Sequence, residues 1–119
     1  MPSRSPKQRL QDIIDNIEIV RSFIAGMDEE AFHADRRTSY AVSRALEIIS
    51  EASRRLPSQM KNRHPQIPWR EIAAAGDIYR HEYEAIDNAI TWKTATEDLD
   101  ALEAIAKAEL IRLQTDDSL

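Results

Sequence analysis

Apolar residues recur every three or four positions through almost the whole chain, and tight turns are nearly absent. In the first stretch they fall at Leu10, Ile13, Ile14, Ile17, Val20, Phe23, Ile24 and Met27. That spacing lines one side of an α-helix and does not fit the two-residue repeat of a strand. With only two glycines in 119 residues, the hairpin turns of a β-fold have little to form from. The pattern predicts an all-α chain.

Helix signals divide the sequence into four long segments. Ser5-Pro6 is a start signal, since serine caps and proline suits the first helical position. The first helix is expected over about 6–26, ended by Gly26. Asp28-Glu29-Glu30 opens a short turn, with acids at the end the helix dipole favours. The second helix, about 36–56, is expected to line its inner side with Tyr40, Val42, Ala45, Leu46, Ile49, Ala52 and Leu56 before Pro57 stops it. Residues 57–68 hold three prolines and predict a connection with one helical turn. Pro68 begins the third helix, to about Ala85. Asp87 or Asn88 caps the fourth, which carries Ile90, Trp92, Leu99, Leu102, Ile105, Ala106, Leu110 and Leu113. An interruption is expected at Thr94-Ala95-Thr96, where β-branching lowers helix propensity. Thr115–Leu119 is expected to fray. Four amphipathic helices with short links predict an up-and-down helical bundle, a single domain over 1–119.

Composition removes several function classes. No cysteine means no disulfide framework, thiolate metal site or thiol nucleophile, and a reducing cytoplasm is the expected location. No apolar run approaches the ~20 residues of a membrane span. Net charge is −5, but it is unevenly spread. Residues 33–81 hold nine basic and five acidic residues and all three histidines, whereas 82–119 hold three basic and ten acidic. The basic centre could face phosphates although the whole is acidic.

The third helix carries the candidate chemistry. If Ile72 marks its inner side, Gly76, Tyr79, Tyr83 and Ile86 fall within about 40° of it and complete a core stripe. His81 falls about 180° away, with Arg70, Asp77 and Glu84 on the outward side. Asp77 and His81 are one turn apart, so the carboxylate can orient the imidazole. Arg80 is adjacent and suits phosphate contact. Ala74, Ile78 and Ala85 form a small outward apolar strip that predicts a homodimer seam. A histidine for proton transfer and an arginine for developing charge would suffice for RNA cleavage by the ribose 2′-OH without a metal or cofactor. His33 and His64 show no metal-ligand spacing with His81.

The ordered set Asp35-Arg36-Arg37-Thr38-Ser39-Tyr40-Ala41-Val42, Arg44-Ala45-Leu46-Glu47-Ile48-Ile49-Ser50-Glu51-Ala52, Pro68-Trp69-Arg70-Glu71-Ile72-Ala73, His81-Glu82-Tyr83, Ile86-Asp87 and Thr96-Glu97-Asp98-Leu99 resembles HepT-like HEPN-domain proteins. These are the toxin halves of HEPN/MNT toxin–antitoxin pairs. The resemblance implies a dimerising helical bundle with metal-independent endoribonuclease activity at the dimer cleft. It also implies a small nucleotidyltransferase antitoxin, which in some pairs adenylylates the motif tyrosine. His81 matches the motif histidine and Tyr83 that tyrosine. The arginine that the family carries five residues before the histidine is replaced here by Gly76, leaving Arg80 as its substitute. A catalytically silent homodimer that binds the nucleotidyltransferase is the competing expectation. Nucleic-acid binding without cleavage is a third, requiring a continuous basic surface over 36–70.

Overall fold

A computed structural model of the protein describes residues 5–81 and 88–117, without the side chains of residues 79–81, 116 and 117. Its elements are α1 (Pro6–Ile24), α2 (Glu29–Ala34), α3 (Arg36–Arg54), α4 (Ser58–Asn62), α5 (Trp69–His81), α6 (Asn88–Lys93), a π-helical turn (Thr94–Asp98) and α7 (Leu99–Asp117). Among the described residues there is no strand, and the fold is the expected all-α bundle. No helix among them is long and apolar enough to cross a membrane.

The helix starts follow local chemistry. The Ser5 hydroxyl accepts from the Gln8 amide at 3.2 Å, and Pro6 takes the first turn. Asp28 accepts from the Ala31 amide at 2.8 Å. Asp35 accepts from the Thr38 amide at 3.0 Å and its hydroxyl at 2.8 Å, which together hold its carboxyl below the ordinary range. Gly26 closes α1 with φ +79°, a backbone form that side chains disfavour.

Leu10, Ile13, Ile17, Val20, Val42, Leu46, Ile49, Leu99, Leu102 and Ala106 form the buried centre where α1, α3 and α7 meet. Phe32 of α2 is fully buried, its ring centroid 5.3 Å from that of Trp92. Two charged ties frame this core. Arg21 of α1 donates to Glu103 at 2.6 Å and to Asp100 at 2.5 Å on α7. The Arg21 hydrogen bond holds the Glu103 carboxyl below its usual range. Glu109, buried on α7, accepts from Arg63 Nη2 at 2.6 Å and Nε at 3.0 Å. The 57–68 connection is thereby fixed to α7, and the Trp69 indole donates to the carbonyls of Lys61 (3.1 Å) and His64 (3.0 Å).

Several expected positions are revised. Phe23, Tyr40 and Ile90 are 44%, 57% and 62% exposed. Tyr40 lies two residues before Val42, about 160° round the helix, so it cannot share the core side. Thr115 is still helical, its hydroxyl donating to the Ile111 carbonyl at 3.0 Å, so α7 outlasts the expected fraying point. The expected interruption at Thr94 is the π turn, with the Thr96 hydroxyl donating to the Trp92 carbonyl at 2.8 Å. Residues 82–85, expected to continue α5, lie outside the described residues.

The direction of α5 against α3 follows from helix geometry. With Ser50 pointing at α5, Leu46 and Ile49 lie about 40° and 100° to one side. With Gly76 pointing at α3, Ile72 and Ala75 lie about 40° and 100° in the same rotational sense. All four line one groove with Leu99 and Leu102. Two right-handed helices place such positions on the same side only when they run antiparallel, so α5 returns along α3.

Candidate functional site

α5 is seated by small residues. Ser39, Ser43, Ser50 and Ser53 are buried along α3, a polar stripe beside its apolar face. The Ser50 hydroxyl donates to the Ile72 carbonyl at 2.5 Å and lies 3.3 Å from that of Ala73. One turn on, Gly76 is buried against the same serine. A Cβ on Gly76 would overlap the Ser50 hydroxyl oxygen and stand 2.9 Å from its Cβ. Glycine is therefore required by the approach of two helices rather than by a turn.

This seating turns the other side of α5 outward. Ala74 and Asp77 are exposed and Ile78 is 45% exposed. The structure thus brings together three of the predicted site positions on one outward arc. The backbones of Arg80 and His81 form the last turn of α5, whereas their side chains lie outside the described residues. Tyr83 and Ala85 lie outside them altogether. Of the other histidines, His33 Nε2 is 3.6 Å from Glu29 on α2, and His64 Nε2 is 3.6 Å from Glu109. Among the described residues no group of three or more His, Asp or Glu side chains could hold a metal ion.

Two features were not read from the sequence. The first is an open groove of about 480 Å³ between α3, α5, the π turn and α7, with Leu46, Ile49, Ile72 and Leu102 in its walls and Glu71, Glu97 and Asp98 also lining it. Its residues are scattered over α3, the connection before α5, α5, α6, the π turn and α7, so periodicity within any one helix could not reveal it. The second is the edge of α3 beside Asp77. Tyr40, Arg44 and Glu47 lie about 80°, 120° and 60° from Ser50, on the side of the pair opposite the groove. Arg44 bonds Glu47 at 3.1 Å. The available signal was Tyr40's offset from Val42.

The family model described as Ribonuclease HepT-like matches residues 13–109. The chain belongs to the HepT-like ribonuclease family. A protein of Thermococcus cleftensis named "Probable ribonuclease HepT" is 44% identical over 100 residues, covering 84% of this chain and 91% of its own. A Methanocaldococcus jannaschii protein that likewise carries an RNase name is 36% identical, covering 80% and 82%. A third, from Caldanaerobacter subterraneus and also with an RNase name, is 33% identical over 87% and 93%. No solved structure gives a significant match.

Within this HepT-like fold, the position where the resemblance places the motif arginine is filled to the backbone by Ser50. Gly76→Ala should therefore lower the thermal midpoint, equivalent to about 1–3 kcal/mol of overpacking, although alanine is intrinsically the better helix former by about 1 kcal/mol. The double change Ser50→Gly, Gly76→Ala should recover part of that loss. A single variant as stable as the parent would show that α5 is not held this closely.

Proposed function

We propose that this HepT-like chain is the ribonuclease toxin of a HEPN/MNT pair, a metal-independent endoribonuclease acting on cytoplasmic RNA. The observation that carries the reading is the ribonuclease-family match across residues 13–109, which spans all of α5 and Tyr83. The exposed Asp77, one turn before His81, supports it. In this reading His81 takes the proton of a ribose 2′-OH as that oxygen attacks phosphorus. The bond to the 5′-oxygen breaks, that oxygen leaves with the proton His81 took up, and a 2′,3′-cyclic phosphate remains. Asp77 orients the imidazole. Arg80 meets the phosphate charge, since position 76 has no room for the arginine of the family motif.

Two copies form the working unit, joined along Ala74, Ile78 and Ala85, with the two His81 residues beside the seam. The exposure of Ala74 and Ile78 on an otherwise polar arc supports this. The partner is a small nucleotidyltransferase, and the Tyr83 hydroxyl is its modification target. One observation favours the second reading, a catalytically silent homodimer that binds the nucleotidyltransferase: the buried Gly76 at the motif arginine's position.

Purified protein should cut total RNA or tRNA in EDTA, and His81→Ala should abolish the cutting. Folded, unmodified protein that cuts no RNA would transfer the assignment to the silent dimer. Light scattering should give twice the chain mass of 13.6 kDa, and Ile78→Asp should shift it toward one; an unchanged mass removes the seam. Incubation with the cognate nucleotidyltransferase and ATP should label the chain but not Tyr83→Phe, and equal labelling of both would exclude Tyr83 as the acceptor.

A further inference from the structure

The outer edge of α3 has the composition of a nucleic-acid surface. Tyr40 is 57% exposed, and among the described residues no hydrogen bond or ring contact holds it. Arg36, Arg37 and Arg44 lie within about 60° of it round the helix, one turn before and one turn after. All three are exposed. Arg36 forms no ion pair among the described residues, and Arg37 acts on the Asp35 carboxylate without closing one. Arg44, its side chain 67% exposed, pairs with Glu47 through one of its several N–H-bearing nitrogens.

We propose that this edge guides single-stranded RNA, with a base stacked on Tyr40 and phosphates held by Arg36, Arg37 and Arg44. The proposal rests on the ribonuclease reading and names how that site would hold its substrate. An exposed aromatic ring offers a stacking face that any unpaired base can use, and flanking arginines supply the phosphate contacts. Duplex bases are already stacked and cannot reach the ring, so the surface selects unpaired RNA.

Its place relative to α5 fits this role. Tyr40 lies ten residues before Ser50, and His81 five residues after Gly76. Because the helices are antiparallel, both lie toward the same end from that contact, about 15 Å and about 7.5 Å along the axis. A nucleotide on Tyr40 is thus offset by only about 7.5 Å, along the axis, from the last turn of α5.

The test uses the full chain carrying His81→Ala, which leaves bound RNA intact, and a labelled single-stranded oligonucleotide read by anisotropy. Tyr40→Ala should weaken binding about tenfold and Tyr40→Phe little, since stacking needs only the ring. Arg36→Ala with Arg37→Ala should weaken it and reduce the slope of log affinity against log salt by about 1.4, two single-strand phosphate contacts. A fully paired hairpin should not respond to Tyr40→Ala. With His81 intact, Tyr40→Ala should raise KM more than it lowers kcat. Circular dichroism checks that each exposed-site variant folds. Unchanged affinity in the Tyr40→Ala and arginine variants overturns the proposal. So does conversion of a dimer to a monomer by Tyr40→Ala, which would mean that a second copy covers this edge. RNA binding through Tyr40 by a wild type that cuts nothing would keep this surface and remove the nuclease reading. His81-dependent cutting indifferent to Tyr40 and the arginines would do the reverse.

Discussion

Ser50 donates its hydroxyl to the Ile72 carbonyl, and Gly76 leaves no Cβ between α3 and α5. The orientation of α5 depends on this contact. A larger residue at either position would separate the helices or rotate one of them. The outward arc of Ala74, Asp77 and Ile78 exists because the opposite arc is held this closely. The same contact fixes which end of α3 lies beside the last turn of α5, since antiparallel helices that meet at Ser50 and Gly76 bring Tyr40 and His81 toward a common end. Gly76 is thus a packing residue first, and its effect on chemistry is indirect: it denies the fold a side chain where the family motif carries arginine.

The ion pairs sort the charge that the composition leaves ambiguous. Part of the basic excess over residues 33–81 is paired within the fold. Arg54 and Arg55 meet Glu51, Arg44 meets Glu47, and Arg63 grips the buried Glu109. Exposed pairs of this kind contribute little stability, on the order of 0–1 kcal/mol each. Glu109 differs, because without Arg63 this buried carboxylate would keep only His64 Nε2, 3.6 Å away, as a potential cationic neighbour. Once these pairs are removed, Arg36, Arg37 and Arg70 remain exposed without an ion pair among the described residues, the first two at the start of α3 beside an exposed tyrosine. The acidic excess after residue 82 is partly engaged by Arg21 through Asp100 and Glu103.

Much of the architecture was legible beforehand because helix formation is local. The caps at Ser5, Asp28 and Asp35 each satisfy an amide three residues on, and the break near Thr94 falls where the β-branched Thr94 and Thr96 flank Ala95. Tyr40, Phe23 and Ile90 are exposed despite their hydrophobic character, because angular position on the helix decides which side chains reach the core. The serine stripe carries no apolar signal in the sequence, yet small size is what a close helix contact demands. Of the candidate site, the outward arc at Ala74, Asp77 and Ile78 followed from the 100° step alone.

The sequence by itself determined the helices, the capped starts at Ser5, Asp28 and Asp35, the all-α class and the family, since each depends on neighbours within a few positions or on ordered motifs. Only the tertiary structure decided that α5 lies against Ser50, that Glu109 is buried under Arg63, and that Tyr40 stands on the Asp77 side of the helix pair. Those facts depend on contacts between residues 22 to 46 positions apart, and on the relative direction of two helices, which no local periodicity encodes.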